Sequence, residues 1–200
     1  MSNAKQDMQV SAGNFERLVW PRISHWFGDD LVLYKTEDHP DTLRTEFDRV
    51  SGVDFWAIER GAGMISVASR VQTYDKTTFT IRYSRGTGNE TEYQKRMRQL
   101  RSDYELPTYT VQAYIDPTLE VLRNVAACRT DALYEYISQG EPGDDWPLIS
   151  SNEHEMFFPV SWSELDCETD LLVHDRNRAG LEAPKPDDPT DITAWGAAHE

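Results

Sequence analysis

The stretch GVDFWAIERGAGMISVASRVQ, Gly52 to Gln72, decides how this chain is read. A lone carboxylate, Asp54, opens an apolar run over residues 53–58. Gly61 and Gly63 bracket a turn. The run after it alternates: Met64, Ser66, Ala68, Arg70 and Gln72 fall on one side, Ile65, Val67, Ser69 and Val71 on the other. Successive side chains of a strand point to opposite faces, so this period of two predicts a hairpin. It carries an acid at the mouth of its first strand, and a guanidinium and an amide on one face of its second.

Working outward, TFTIRYS (78–84) alternates in the same way and predicts a third consecutive antiparallel strand. Upstream, NFERLVWPRISHWF (14–27) has helical apolar spacing with Asn14 as a possible cap, and Pro21 predicts a kink or a division. LVLYK (31–35) suits a short strand, while TLRTEFDRV (42–50) suits either helix or extended chain. Downstream, Tyr93, Met97 and Leu100 recur at i, i+4 and i+7 among Lys95, Arg96, Arg98 and Arg101, which predicts an amphipathic helix with a basic outer face. Glu92 opens that helix, where a negative charge suits the dipole. TYTVQAYI (108–115) and LEVLRNVAAC (119–128) predict paired strands around a turn at Asp116-Pro117, and RTDALYEYIS (129–138) a helix capped near Thr130 or Asp131. Residues 140–152 read as a loop, and MFFPVSW (156–162) as an edge strand, because Pro159 lacks the N–H that a central strand uses. The expectation is an α/β (α+β) domain over residues 14–162. Its central mixed sheet is flanked by helices, in the order helix, three strands, helix, two strands, helix. Residues 1–13 read as a flexible N-terminus and 163–200 as an acidic, partly disordered tail, the last part rich in proline, aspartate and small residues.

The chain of 200 residues carries a net charge of -15. Lysine is confined to Lys5, Lys35, Lys76, Lys95 and Lys185, with arginine supplying the other basic groups. Such a surface fits a salty, halophilic cytoplasm or a GC-rich genome, and also a DNA mimic whose carboxylates imitate phosphates. The charge is uneven. Residues 70–101 hold eight basic groups against three acids, a balance of +5 that leaves -20 for the rest. A basic island in an acidic protein is either a steering surface for polyanions or a solvated helix face.

No apolar run approaches the length that spans a bilayer, and MSNAKQDMQVSAGNF has no apolar signal core, so a cytoplasmic protein is expected. Cys128 and Cys167 lack metal-type spacing and read as reduced, with Cys128 buried. The five histidines include no helical i, i+4 pair of the zinc type. Neither a nucleophile elbow nor a phosphate-binding glycine loop occurs.

The order of elements, with Gly52-Val53-Asp54 at a strand start and Ala68-Ser69-Arg70 one strand later, resembles the restriction-endonuclease-like core of the PD-(D/E)XK nuclease superfamily over roughly residues 14 to 138. In that family a second acid and a lysine stand where this chain has Ala68 and Arg70. The resemblance implies a metal-dependent phosphodiesterase, or a descendant that binds nucleic acid without cleaving it. It places Asp54, Arg70 and Gln72 in the catalytic site, with magnesium or manganese on Asp54, Glu46 and Gln72; Glu16 or Asp48 are further sources of a carboxylate. Arg70 would stabilise charge on phosphate oxygens. Arg82, Arg85, Lys95, Arg96 and Arg98 would meet flanking phosphates. The resemblance also implies a role in phage, plasmid or genome-defence biology. The competing expectation is a non-enzymatic acidic module that binds a protein partner or mimics DNA. Neither expectation involves a membrane, and nothing in the sequence fixes an oligomeric state. Convergence of Asp54, Arg70 and Gln72 beside the basic helix favours the first; rows of carboxylates on a convex surface favour the second.

Overall fold

The computed structural model describes residues 10–36, 52–59, 63–102, 105–152, 154–165 and 171–175. The chain is a mixed α/β protein with a mixed central sheet and few helices. Helix α1 runs to residue 26 in three pitches: a π-turn over Phe15–Val19, an α-turn over Trp20–Ile23 and a 3-10 turn over Ser24–Trp26. The change of pitch accommodates Pro21. Trp20 donates its N–H to Phe15 in the wider π pattern, and Pro21 then stands at the start of a fresh turn, where its missing N–H is not needed. Phe15, Val19, Trp20 and Ile23 are buried along one side of α1.

The strands of the main sheet are β1 (Val32–Lys35), β2 (Phe55–Glu59), β3 (Gly63–Gln72), β5 (Tyr109–Asp116), β6 (Val121–Arg129) and β9 (Leu172–Asp175), in spatial order β1-β2-β3-β5-β6-β9. Only the β3–β5 pairing is parallel. Registers such as Phe55↔Val67, Val67↔Tyr109 and Val111↔Ala127 align the small and branched residues on one face. That face, with Phe55, Ala57, Val67, Val111, Ala113, Val125 and Ala127, packs on α1. The other face carries Arg70, Gln112, Tyr114, Ala126 and Cys128 toward a second layer. Helices α2 (Glu92–Leu100) and α3 (Thr130–Ile137) and a three-stranded sheet form that layer. The small sheet runs β4 (Thr78–Arg85), β8 (Glu155–Ser161), β7 (Ile149–Asn152), and the short helix α4 (Trp162–Leu165) closes it.

Several expectations change, among them the loop read over 140–152, which holds β7. TFTIRYS is a strand, but not the third rung of a meander: residues 73–77 lead it out of the main sheet and β4 pairs with β8, leaving the flank of β3 to β5. MFFPVSW is the central strand of the small sheet, not an edge. Pro159 is tolerated there because it pairs with Thr80, whose N–H and C=O both point away from β8. The missing N–H of Pro159 therefore lies on the β7 side, beyond the last β7 rung at Ile149↔Phe157. Finally, the stretch read as a tail contributes structure. Leu165 is buried, and residues 172–175 form β9 against Asn124–Ala127. At the other end the chain is already helical at residue 10, and Ser11 accepts the Val71 N–H. Residues 1–9, 37–51 and 176–200, and with them Glu46, Asp48 and the stretch 42–50, lie outside the described residues.

The second layer buries hydroxyls as well as rings. Tyr134 is wholly buried, and burial, then the neighbouring Glu92, pushes its hydroxyl well above the ordinary tyrosine range. Burial also raises Tyr114. A raised folded-state pKa stabilises the fold below the unfolded value of about 10, and that stability is lost as pH climbs past it. An ultraviolet titration is therefore expected to show at least two tyrosines that ionise only together with unfolding. Smooth titration of every tyrosine in the folded protein would contradict this packing. Among the described residues, no helix is long and apolar enough to cross a membrane.

Candidate functional site

Asp54 sits just before β2 and is tied on both sides. Its N–H donates to Val67 at 3.0 Å, and its carbonyl accepts Thr36 at 2.9 Å. One carboxylate oxygen accepts the backbone N–H of Ser69 at 2.7 Å, replacing a ladder rung with a side chain. Its two-residue lead is fixed from α2. Gly52 adopts φ +58, and its carbonyl accepts Arg96 Nη2 at 2.8 Å. A Cβ at Gly52 would meet the same guanidinium at 3.0 Å, so glycine suits both the dihedral and the space.

This corrects the role expected of Arg96. It is 3% exposed and bonds Gln99 as well as Gly52, so it anchors the lead to Asp54 and offers nothing to a phosphate in solution. The sequence held the signal: Arg96 falls three residues after Tyr93 and four before Leu100, on the apolar stripe itself.

Arg70 and Gln72 project from β3 toward β4, with Gln112 and Tyr114 beside them on β5. Here the open edge of β4 meets the face of the main sheet, and side chains complete its hydrogen bonds. Arg70 Nη1 donates to the Thr80 carbonyl at 2.9 Å, Gln112 Oε1 accepts the Thr80 N–H at 3.4 Å, and the Tyr114 hydroxyl donates to the Thr78 carbonyl at 2.8 Å. Gln72 Oε1 receives the Thr80 hydroxyl and the Gln112 amide, each at 3.4 Å. The other terminal nitrogen of Arg70 donates to Glu92 at 2.8 Å, and Glu92 also accepts the Tyr134 hydroxyl at 3.2 Å. Glu92 thus points into the cluster and does more than meet the helix dipole, while Thr91 and Gln94 form the cap through a capping box.

Two further guanidiniums lie on β4. Arg82 and Arg70 both stand over the Phe157 ring, at 5.2 and 5.6 Å from its centre. Between Arg82 and Ser84 the β4–β8 register slips by one residue. Such a bulge shifts the alternation, and Arg85 lies near enough for its charge to act on Arg82. The Arg82 guanidinium is held below the ordinary arginine range by burial first, then by Arg70 and Arg85. Its nearest carboxylate, Glu155, is 3.9 Å away. Arg98 differs: it is exposed and forks onto Glu90 at 2.8 and 3.0 Å, which lowers the Glu90 pKa. Lys95 is half-buried. Tyr93, Met97, Arg98 and Arg101 line a groove of about 520 Å³ along α2.

The strands thus gather Arg70, Gln72 and Arg82 with Glu92, and hold Asp54 against Ser69, the neighbour of Arg70. They do not gather a metal site. Among the described residues no three His, Cys, Asp or Glu side chains come together to hold an ion. Of the acids expected at the metal, Asp54 and Glu16 are described, Glu16 being exposed on α1; Gln72 already receives two donors, and Glu46 and Asp48 lie outside the described residues. Of the three expected ligands only Asp54 and Gln72 are thus described, fewer oxygen donors than a divalent ion takes. No family profile, no curated protein and no solved structure matches this chain. Glu92 was read only as a charge for the helix dipole, and Gln112, Tyr134 and Phe157 went unread in the sequence. Gln112 had a local signal, as an amide within the apolar strand TYTVQAYI; the other three reach the cluster only through tertiary packing.

Proposed function

We propose that this protein acts on nucleic acid through a restriction-endonuclease-like core, as a binding descendant in which cleavage is weak or lost. The observation that carries this is the convergence of Arg70 and Arg82 on one ring, with Arg85 at the adjoining bulge, one strand away from Asp54. Guanidiniums gathered in this way suit phosphate, which they bind through paired donors. The element order also supports it in outline: α1, β1 to β3, then α2 and β5 parallel to β3, with β4 of the small sheet inserted between β3 and α2 and Asp54 at the β2 start. Ala68 in place of a second carboxylate, and an arginine in place of the lysine at position 70, place the weight on binding rather than on chemistry.

The test is a binding and cleavage assay on duplex and single-stranded DNA and RNA, with and without magnesium or manganese, comparing wild type with Asp54→Ala. Binding that weakens steeply with salt is expected, with no more than about a twofold change in Asp54→Ala and no cleavage. Metal-dependent cleavage abolished by Asp54→Ala would instead make the protein an active phosphodiesterase. Failure to bind any of these substrates at low salt would sink the reading. It would leave the acidic interaction module, which the internal neutralisation of Arg98 by Glu90 and the burial of Arg96 already favour.

A further inference from the structure

We infer that Arg82 and Arg85, with Arg70 beside them, hold a single internal phosphodiester of a nucleic-acid strand rather than a terminal phosphate. This rests on the nucleic-acid reading above and assigns its contact point. Three observations carry it.

The first is unmet donor capacity. The Nε atoms of Arg82 and Arg85 are both buried without a hydrogen-bond partner. Among the described residues, Arg85 has no carboxylate within ion-pair distance. Arg17 and Arg98, by comparison, are forked onto Glu120 and Glu90. Arg82 and Arg85 thus keep donor capacity that the described residues do not satisfy.

The second is preorganisation. Phe157 sits beneath both Arg70 and Arg82, and Arg70 is further held by Thr80 and Glu92. Like charges are thus kept together before any ligand arrives, which spares the ligand the cost of ordering them.

The third is charge. Arg70, Arg82 and Arg85 stand against Glu92 and Glu155, the carboxylates that act on Arg82, which leaves one positive charge. A phosphodiester brings one negative charge and neutralises the cluster. A terminal phosphate, at about -1.5 to -2 near neutrality, overshoots it.

The experiment uses the full chain and a short labelled oligonucleotide of the best-bound class, with and without a 5′ phosphate, titrated over a range of salt. Arg85→Gln is expected to weaken binding about tenfold and to lower the slope of log affinity against log salt by about 1, as loss of one phosphate contact should. The 5′ phosphate is expected to change affinity by less than about twofold. Arg85→Lys, which preserves charge and fold, should retain the slope but lose affinity through its missing fork. Wild-type affinity and slope in Arg85→Gln would overturn the site while leaving the nucleic-acid reading intact. A strong preference for the 5′-phosphorylated strand would overturn the phosphodiester assignment. Absence of binding by the wild-type protein would remove the reading on which both rest.

Discussion

Phe158→Ala is expected to lower stability by about 3–5 kcal/mol, comparable to the whole margin of many domains. The ring is completely buried on the central strand of the small sheet. It meets Tyr83 at 6.3 Å, Tyr93 at 5.6 Å and Trp146 at 5.9 Å between centroids. Those partners come from β4, α2 and the 140–148 loop, so truncation opens a cavity where three elements meet. Urea unfolding followed by tryptophan fluorescence would measure it, with Phe158→Leu expected to cost distinctly less. An alanine variant that unfolds at the wild-type urea midpoint would mean that the small sheet does not pack as described.

Arg70→Met is expected to cost about 2 kcal/mol. The aliphatic stem is kept, but the Thr80 carbonyl loses its donor and Glu92 loses its counter-charge. The figure is set below that for a fully buried pair because both side chains are 24% exposed. Glu92→Gln, whose carbonyl can still accept from Arg70 while its amide donates to the Tyr134 hydroxyl, removes the charge and is expected to cost less. A double-mutant cycle over the two positions isolates their coupling. The functional consequence is direct: a drop in nucleic-acid binding in an Arg70 variant has to be read beside its melting temperature. Arg70→Met with unchanged stability would show that β4 does not depend on this side chain.

The hairpin from Gly52 to Gln72 was legible because strand alternation is a local property, and it correctly put Arg70 and Gln72 on one face. The alternation of TFTIRYS was equally local, and for that reason could not say which sheet β4 would join. Its partner β8 is remote in the chain, and Pro159 in β8 argued for an edge when judged without the geometry of the Thr80 pair. Residues 172–175 are only four long and follow the acidic stretch ETD, so they were read into the tail. The same boundary between local and distant runs through the site. Glu92, Thr80 and Phe157 reach Arg70 only by tertiary packing. Arg96 and Arg98 look alike in composition but part company because a carbonyl at Gly52 waits for one and Glu90 for the other.

The two sheets are threaded through each other along the chain: β4 is made between β3 and β5, and β7 and β8 between β6 and β9. During synthesis β4 emerges from the ribosome long before β8, and until then its described hydrogen-bonding company is side chains of β3 and β5 and of Thr91 at the start of α2. Neither sheet is encoded by a contiguous segment, so no fragment cut from this gene carries a finished layer. Commitment to the native state has to await the last strand.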